Sequence, residues 1–314
     1  MKKVVSLFSG VGGIDLPFEN NGFEIVFAND FDSKAVETYN ANFDTKALLG
    51  DITKIEINTI PKGDVLIGGF PCQPFSIAGY QKGFEDTRGT LFFNVASILK
   101  EMKPSVVMLE NVKNLVSHDN GNTFKVILNT LEELGYHVKH AVLNACEYGN
   151  MPQNRERIYI VGFLNKDQFD KFSFPSPIKR TTTIYDVIDF ENKVEDKYYY
   201  TKEKYPHVVE EFDKVEHQKG VVYQWRRVYV RANKSGVVPC LTANMGTGGH
   251  NVPLVYTKYG LRKLTPRECF NVQGFPKDFV LPKMVDSALY KQAGNSVCVG
   301  VIERIVEEIK KAIY

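Results

Sequence analysis

No apolar run in the 314 residues approaches the roughly 18 needed for a membrane-spanning helix, and no membrane association is expected. The apolar stretch behind Met1-Lys2-Lys3 ends at Ser9-Gly10, too short for a signal-peptide core. A first β-strand and a cytoplasmic protein are expected instead. The five cysteines (Cys72, Cys146, Cys240, Cys269, Cys298) are odd in number, widely spaced and without a Cys-x-x-Cys pair. That argues against a disulfide framework and against a zinc site, so no metal is expected. Repeats and low-complexity tracts are missing too. Between Glu216 and Glu268 there is no acidic residue, although the whole chain carries a net charge of only +2. Within that gap lie Lys219, Arg226, Arg227, Arg231, Lys234, Lys258, Arg262, Lys263 and Arg267. A one-sign stretch in a balanced chain is a candidate phosphate-facing surface.

What is present is the composition of an ordinary globular protein, 43% hydrophobic and 24% charged. The first half alternates short β-branched runs with amphipathic stretches. Val4–Phe8, Glu24–Ala28, Val65–Ile67, Val106–Leu109, Val138–Leu143 and Arg157–Gly162 read as strands. Helices are expected from about Ile14, over Ser33–Asn42, from near Thr90 and over Asn122–Leu134. This alternation implies an α/β fold with a mainly parallel sheet, whose ligands bind beyond the carboxyl ends of the strands. After the linker-like Phe174-Pro175-Ser176-Pro177, the chain mixes Tyr, Gly, Thr and basic residues without clear helices, and a last helix follows Gly294-Asn295-Ser296. The expected divisions are 1–175, a smaller irregular domain over 176–262, and a return segment over 263–314 that packs its helix on the first domain.

Ser9-Gly10-Val11-Gly12-Gly13 follows a strand and opens a helix, where a glycine turn lets a ligand approach the backbone. Asp30 ends the second strand about twenty residues on, a position from which a carboxylate binds ribose hydroxyls. Asp15 stands where a dinucleotide fingerprint has another glycine, which disfavours a dehydrogenase, and no lysine follows the glycines to make a triphosphate loop. Asp51 could contact an adenine amino group or simply cap a turn. Cys72 lies beyond a buried strand, between Pro71 and Pro74 in a glycine-rich loop. Such an exposed position favours a reactive thiol over a buried structural one.

Gly69-Phe70-Pro71-Cys72-Gln73-Pro74-Phe75-Ser76 resembles the signature loop of the cytosine carbon-5 DNA methyltransferases of bacterial restriction–modification systems. Further matches follow in the family's order: Phe8-Ser9-Gly10-Val11-Gly12-Gly13, Glu110-Asn111-Val112, Gln153-Asn154-Arg155-Glu156-Arg157, Arg267-Glu268-Cys269, Gln273-Gly274-Phe275-Pro276 and Gly294-Asn295-Ser296-Val297. The resemblance implies a Rossmann-like catalytic domain that binds S-adenosylmethionine and releases S-adenosylhomocysteine, with a smaller target-recognition domain. It implies Cys72 as nucleophile, Glu110 at ring nitrogen 3 and the exocyclic amino group, Arg157 at the base and Arg155 in the same network. Arg155 and Arg157 alternate, so in a strand they share a face. Protonating nitrogen 3 needs the acid form of Glu110, which burial favours. The cofactor pocket would use Phe8, Gly10, Gly12, Asp30, Asp51, Ile52, Pro71, Leu91, Asn295 and Val297.

A cytosine inside a duplex cannot offer its ring face to a thiol, so the base must be swung out. The glycine-bearing loop after Phe75 is expected to close over DNA as a lid, with Arg88 on phosphate. Arg226, Arg227 and Arg231 among aromatics, together with Thr242, Gly248 and Gly249, are the candidate DNA-reading residues. The family usually has Thr-Leu where Cys240-Leu241 stands, which bears on a phosphate contact beside the flipped base. Double-stranded DNA with a short cytosine-bearing site is the expected partner, for a monomer beside a separately acting restriction endonuclease. A methyltransferase acting on transfer RNA and a DNA-binding regulator that has lost catalysis remain as alternatives.

Overall fold

In a computed structural model of the chain, residues 1–71, 91–247 and 251–314 are described. They form two compact units. One comprises Met1–Leu143, Glu156–Ser176 and Ile302–Tyr314; the other comprises Asn144–Arg155 and Pro177–Val301.

The first unit is built on a seven-stranded sheet. Its strands are β1 (Lys3–Leu7), β2 (Glu24–Asp30), β3 (Leu48–Leu49), β4 (Val65–Gly69), β5 (Val106–Val112), β6 (His137–Asn144) and β7 (Glu156–Phe163), in the order β3-β2-β1-β4-β5-β7-β6. The pairs β1/β2, β1/β4, β2/β3 and β4/β5 are parallel, and β5/β7 is antiparallel. Val4, Val5, Leu66, Ile67, Val107 and Met108 are fully buried. Strands covered on both faces read as continuous apolar runs, which is why the central strands stand out in the sequence. Each such side chain contributes roughly 1.5–3 kcal/mol. Helices that accompany this sheet include α1 (Asp15–Asn20), α2 (Ser33–Asn42), α3 (Leu91–Met102) and α4 (Asn122–Glu133). Asp32 caps α2 by accepting the amides of Lys34 and Ala35. In α3, Phe92, Val95, Ala96 and Leu99 recur at helical spacing and are buried; in α4, Phe124, Ile127 and Leu131 do the same.

The order of the strands reverses direction between β1 and β4, so their carboxyl ends flank a topological switch point. The chain's end belongs to this unit as well. In the helix Val299–Ile313, Glu303 accepts from Asn21 Nδ2 at 2.6 Å, and Lys310 Nζ donates to the Asn21 carbonyl at 2.8 Å. Among the described residues no helix is long and apolar enough to cross a membrane.

The second unit carries a four-stranded antiparallel sheet where the sequence reads as irregular. Strands β8 (Val222–Trp225), β9 (Val230–Asn233), β10 (Val252–Thr257) and β11 (Gly260–Lys263) run in the order β9-β8-β10-β11. They are only 4 to 6 residues long, and consecutive residues such as Val222-Tyr223-Gln224 are all buried. With both faces covered, the alternation that betrays a strand disappears. The helix Pro206–Phe212 lies in the same stretch, short enough to escape notice. Thr265 and Glu268 form a capping box at the helix Pro266–Val272, as Pro at its first turn leads one to expect.

Candidate active site

Behind β1 the chain turns through Phe8, whose φ of 54° is left-handed, then Gly10 at 55° and Gly12 at 85°. Left-handed backbone is cheap for glycine and costs a phenylalanine about 1 kcal/mol or more, a strain that clusters at ligand sites. At Gly12 a Cβ would fall 2.2 Å from the Phe43 ring, so this position has no room for another residue. Asp30, at the end of β2, holds the turn in place. Its Oδ2 accepts the Gly10 amide at 2.8 Å and its Oδ1 accepts the Asp32 amide at 2.8 Å. Burial pushes the Asp30 carboxyl above its usual range, partly offset by those amides. Ser9 Oγ is buried without a hydrogen-bond partner among the described residues. An orphaned polar atom beside a glycine turn and a buried carboxylate suits a ligand carrying a polar sugar.

Phe31, the next residue, is 70% exposed, and Leu48 and Leu49 on the neighbouring β3 are half-exposed. An aromatic ring left open at the carboxyl edge of a parallel sheet is a platform for a flat base. Phe31 belongs to no motif in the sequence, and its place one residue after Asp30 is the signal that marks it. Asn29, 1% exposed, secures this edge by donating to the Leu48 and Gly50 carbonyls at 2.8 and 2.9 Å. Asp51 is exposed and caps a turn, accepting from the Thr53 amide at 3.0 Å and the Thr53 hydroxyl at 2.8 Å. Those bonds hold its carboxyl below the usual range. Ile52 is core, Leu91 is partly buried against the same core, and Pro71 is exposed. Asn295 and Val297 belong to the second unit.

Beneath the turn, Asp15 is fully buried and accepts from the Tyr39 hydroxyl at 2.9 Å. Tyr39 in turn stacks on Phe43, with ring centroids 4.2 Å apart. Burial pushes the Asp15 carboxyl up to about 7, against the pull of hydrogen bonds from Ser6 and Tyr39. Where a dinucleotide fold would have a glycine, this chain thus has a buried acid.

On the other side of the switch point, β5 continues to Val112, so Glu110 stands inside the strand rather than at its end. Gly69 of β4 pairs with Glu110, and a Cβ at Gly69 would lie 3.2 Å from Glu110 Oε2. Arg157 on β7 brings its Nε to 3.1 Å from Glu110 Oε1, with side chains only 14% and 10% exposed. Asn111, 3% exposed, turns inward and donates to the Phe70 carbonyl at 2.7 Å. It therefore fixes the chain just before Cys72. Cys72 and Arg88 lie outside the described residues, as does the glycine-bearing loop between them.

The expectation for Arg155 and Arg157 rests on both standing in one strand, and only Arg157 does. Arg155 falls between two strands and belongs to the second unit, 3% exposed. Its Nη1 donates to the Leu241 carbonyl at 3.0 Å and approaches Cys240 Sγ at 3.4 Å; its Nη2 donates to the carbonyls of Gly294, at 3.2 Å, and Ser296. Gln153, fully buried, completes the arrangement. It donates to Gln273 Oε1 at 2.9 Å and accepts from the Leu241 amide at 3.2 Å, while Gln273 Nε2 donates to the Ala293 carbonyl at 2.6 Å. Four separated motifs of the second unit are thus joined by one buried polar network, in which every satisfied bond adds specificity of arrangement.

The basic stretch divides in two. Arg262 is fully buried and forks onto Glu268 at 2.7 and 2.8 Å, so it is structural and faces no phosphate. Lys219 and Lys234 pair with Glu191 and Glu216, and Arg267 Nη2 donates to the Phe279 carbonyl at 2.7 Å. Arg226, Arg227 and Arg231 are exposed at the β8–β9 hairpin. Thr242 donates to Asn244 Oδ1 at 2.9 Å; Gly248 and Gly249 lie outside the described residues. Among the described residues no group of three or more His, Cys, Asp or Glu is placed to hold a metal ion.

A carboxylate-anchored glycine turn and a buried Glu–Arg pair at the edge of one mainly parallel sheet fit an α/β enzyme with a ligand carrying a sugar and a base, and comparison with known proteins makes it a methyltransferase. Residues 2–311 match the model of the C-5 cytosine-specific DNA methylase family. The chain is 57% identical to the type II methyltransferase M.Bsp6I of Bacillus sp. (strain RFL6), covering 100% of both chains. It is 42% identical to M.HhaI of Haemophilus parahaemolyticus over 99% of this chain and 95% of that protein. Among solved structures, DNMT2 of Spodoptera frugiperda superposes with a TM-score of 0.75 at 21% identity, covering 99% of this chain and 100% of that one, a likeness of fold. The chain belongs to the C-5 cytosine-specific DNA methylase family and is a DNA (cytosine-5-)-methyltransferase.

Proposed function

We propose that the protein methylates carbon 5 of a flipped cytosine within a short duplex site, as the protective enzyme of a type II restriction–modification system. It would act as a cytoplasmic monomer, beside an endonuclease encoded separately. The single observation that carries the chemistry is the Glu110–Arg157 pair, with Glu110 on the strand beside β4, after which Cys72 follows in the chain, and Arg157 on the strand beyond it. Carbon 5 of cytosine is a poor nucleophile while the ring is aromatic. The Cys72 thiolate adds to carbon 6 and its electron pair pushes ring density onto nitrogen 3, where the Glu110 carboxyl gives up its proton. Arg157 orients Glu110 and binds the base oxygen. Carbon 5 is then enamine-like and nucleophilic. S-adenosylmethionine, the family's cofactor, supplies an electrophilic methyl group on a sulfonium. Nitrogen 3 then returns its proton to the Glu110 carboxylate. Loss of the carbon 5 proton leaves its electron pair to re-form the carbon 5–carbon 6 double bond as the carbon 6–sulfur bond breaks and the Cys72 thiolate departs.

Phe8, Gly10, Gly12 and Asp30 would hold that cofactor, with Asp30 on the ribose and Phe8 and Phe31 on the base. The buried carboxylate, the unpartnered Ser9 hydroxyl and the exposed Phe31 ring support this reading. Asp51, Ile52, Pro71, Leu91, Asn295 and Val297 complete the proposed pocket. Arg155 is proposed to support the active site through Leu241, Gly294 and Ser296. Arg88, Arg226, Arg227, Arg231, Thr242, Gly248 and Gly249 are proposed to face DNA. The test is transfer of labelled methyl to unmethylated duplex DNA and to RNA of the same sequence, followed by bisulfite mapping. Label in DNA as 5-methylcytosine at one short motif is expected. Label confined to RNA, or on the exocyclic nitrogen, would overturn the proposal.

A further inference from the structure

At one end of the antiparallel sheet the turn between β8 and β9 meets Asn251 just before β10. β8 passes into β9 through the exposed turn Arg226–Tyr229, closed by the Arg226 amide on the Tyr229 carbonyl at 2.9 Å, with Arg227 at φ 71°. Val228 at its tip is 75% exposed. β10 begins directly after Asn251, whose φ is 68° and whose amide donates to the Trp225 carbonyl at 2.8 Å. Trp225 pairs with both Val230 and Val252, so the hairpin tip and the segment entering β10 share one sheet end. Side chains alternate along a strand, and Gln224 stands opposite Arg231 on one side and Pro253 on the other. Gln224, Arg231 and Pro253 therefore lie on a common face.

Gln224 is 7% exposed between exposed arginines. Its Nε2 donates to Asn251 Oδ1 at 3.3 Å, and its Oε1 accepts from Arg226 Nη1 at 3.4 Å. One buried amide thus spends its donor on Asn251 and its acceptor on Arg226. An arginine that only touches phosphate needs no fixed orientation, because that attraction is independent of sequence. An arginine that reads a guanine edge with both nitrogens does need one. We infer that Gln224 is a positioning residue for sequence choice, fixing the Arg226 guanidinium relative to Asn251 so that these two residues read DNA in one register. This rests on the proposal that these segments face DNA.

The experiment measures kcat and KM for the full-length enzyme on a duplex carrying its mapped site and on duplexes with one base pair changed. Gln224→Leu removes both bonds; Gln224→Glu keeps the acceptor for Arg226. With Gln224→Leu the cognate-to-variant ratio of kcat/KM should fall about tenfold at one or two base positions, through KM, and Gln224→Glu should recover much of it. The slope of log affinity against log salt should stay as in the wild type, since no phosphate contact is lost. An equal loss of kcat on every duplex, with the ratio kept, would overturn the inference. So would an unchanged ratio with Gln224→Leu in a protein that melts as the wild type does. Arg226→Ala and Arg231→Ala separate the two claims. If neither lowers DNA affinity or the salt slope, the DNA-facing reading fails; if they do while Gln224→Leu keeps the ratio, only the positioning role fails.

Discussion

Asp15 shows how much one side chain can weigh on this molecule. A carboxyl pushed to about 7 by burial, against 3.8 in water, is protonated in the folded chain over a range where the unfolded chain has lost its proton. The folded state then binds more protons, so stability falls as pH rises from 3.8 towards about 7 and levels off beyond. At 1.36 kcal/mol per unit the ionised form costs the fold up to about 4 kcal/mol. Asp15→Asn keeps an acceptor for the Tyr39 hydroxyl and removes the charge. It should be nearly neutral at about pH 4 and raise the unfolding free energy by a few kcal/mol at about pH 8, as followed by denaturant titration. Equal stabilities of the two proteins at both pH values would refute a titrating Asp15. The sequence marked this position only by what it is not, a third glycine, because nothing in a local pattern shows that an acid will be buried.

Among the elements, the β11 strand and the helix Pro266–Val272 show where a charge pattern misleads. Arg262 belongs to a run without acidic residues, and on sequence alone it counts as phosphate-facing. Its partner Glu268 stands just past the run and receives, besides the guanidinium, the amides of Asp189 at 2.9 Å and Thr265 at 2.7 Å. Breaking such a pair strands a buried carboxylate and costs about 3–5 kcal/mol. Arg262→Met should lose stability of that order in thermal or denaturant unfolding, while the salt slope of DNA binding at a permissive temperature stays unchanged. A reduced slope with little loss of stability would return Arg262 to the DNA surface. The alternation of Arg155 and Arg157 shows a similar limit of local pattern. Two residues apart in a strand share a face, but the chain leaves strand geometry at Arg155, and alternation then predicts nothing.

For the whole molecule, the α/β class and the existence of the central strands of the first unit were legible because parallel strands buried on both faces leave unbroken apolar runs, while β2, β4 and β5 run two to three residues past those runs. The antiparallel sheet of the second unit was not, since strands of 4 to 6 residues buried on both sides have neither length nor alternation. The site was legible as motifs, yet Asn111, Gln153 and Gln273 drew attention only as letters within them. Their part is to hold carbonyls and amides distant in sequence, as at Phe70 and Leu241. The chain order of the strands brings Glu110, Arg157 and the approach to Cys72 to one sheet edge, and the account of catalysis turns on Cys72 bonding to carbon 6 of the base. Duplex DNA whose target cytosine carries fluorine at carbon 5 tests that directly, because the fluorine cannot leave as a proton and the thiolate cannot be expelled. With S-adenosylmethionine present, the wild-type protein should form a covalent complex that survives denaturation, and Cys72→Ser should form none. A complex that persists in Cys72→Ser, or its absence from a wild-type protein that methylates ordinary DNA, would contradict the account.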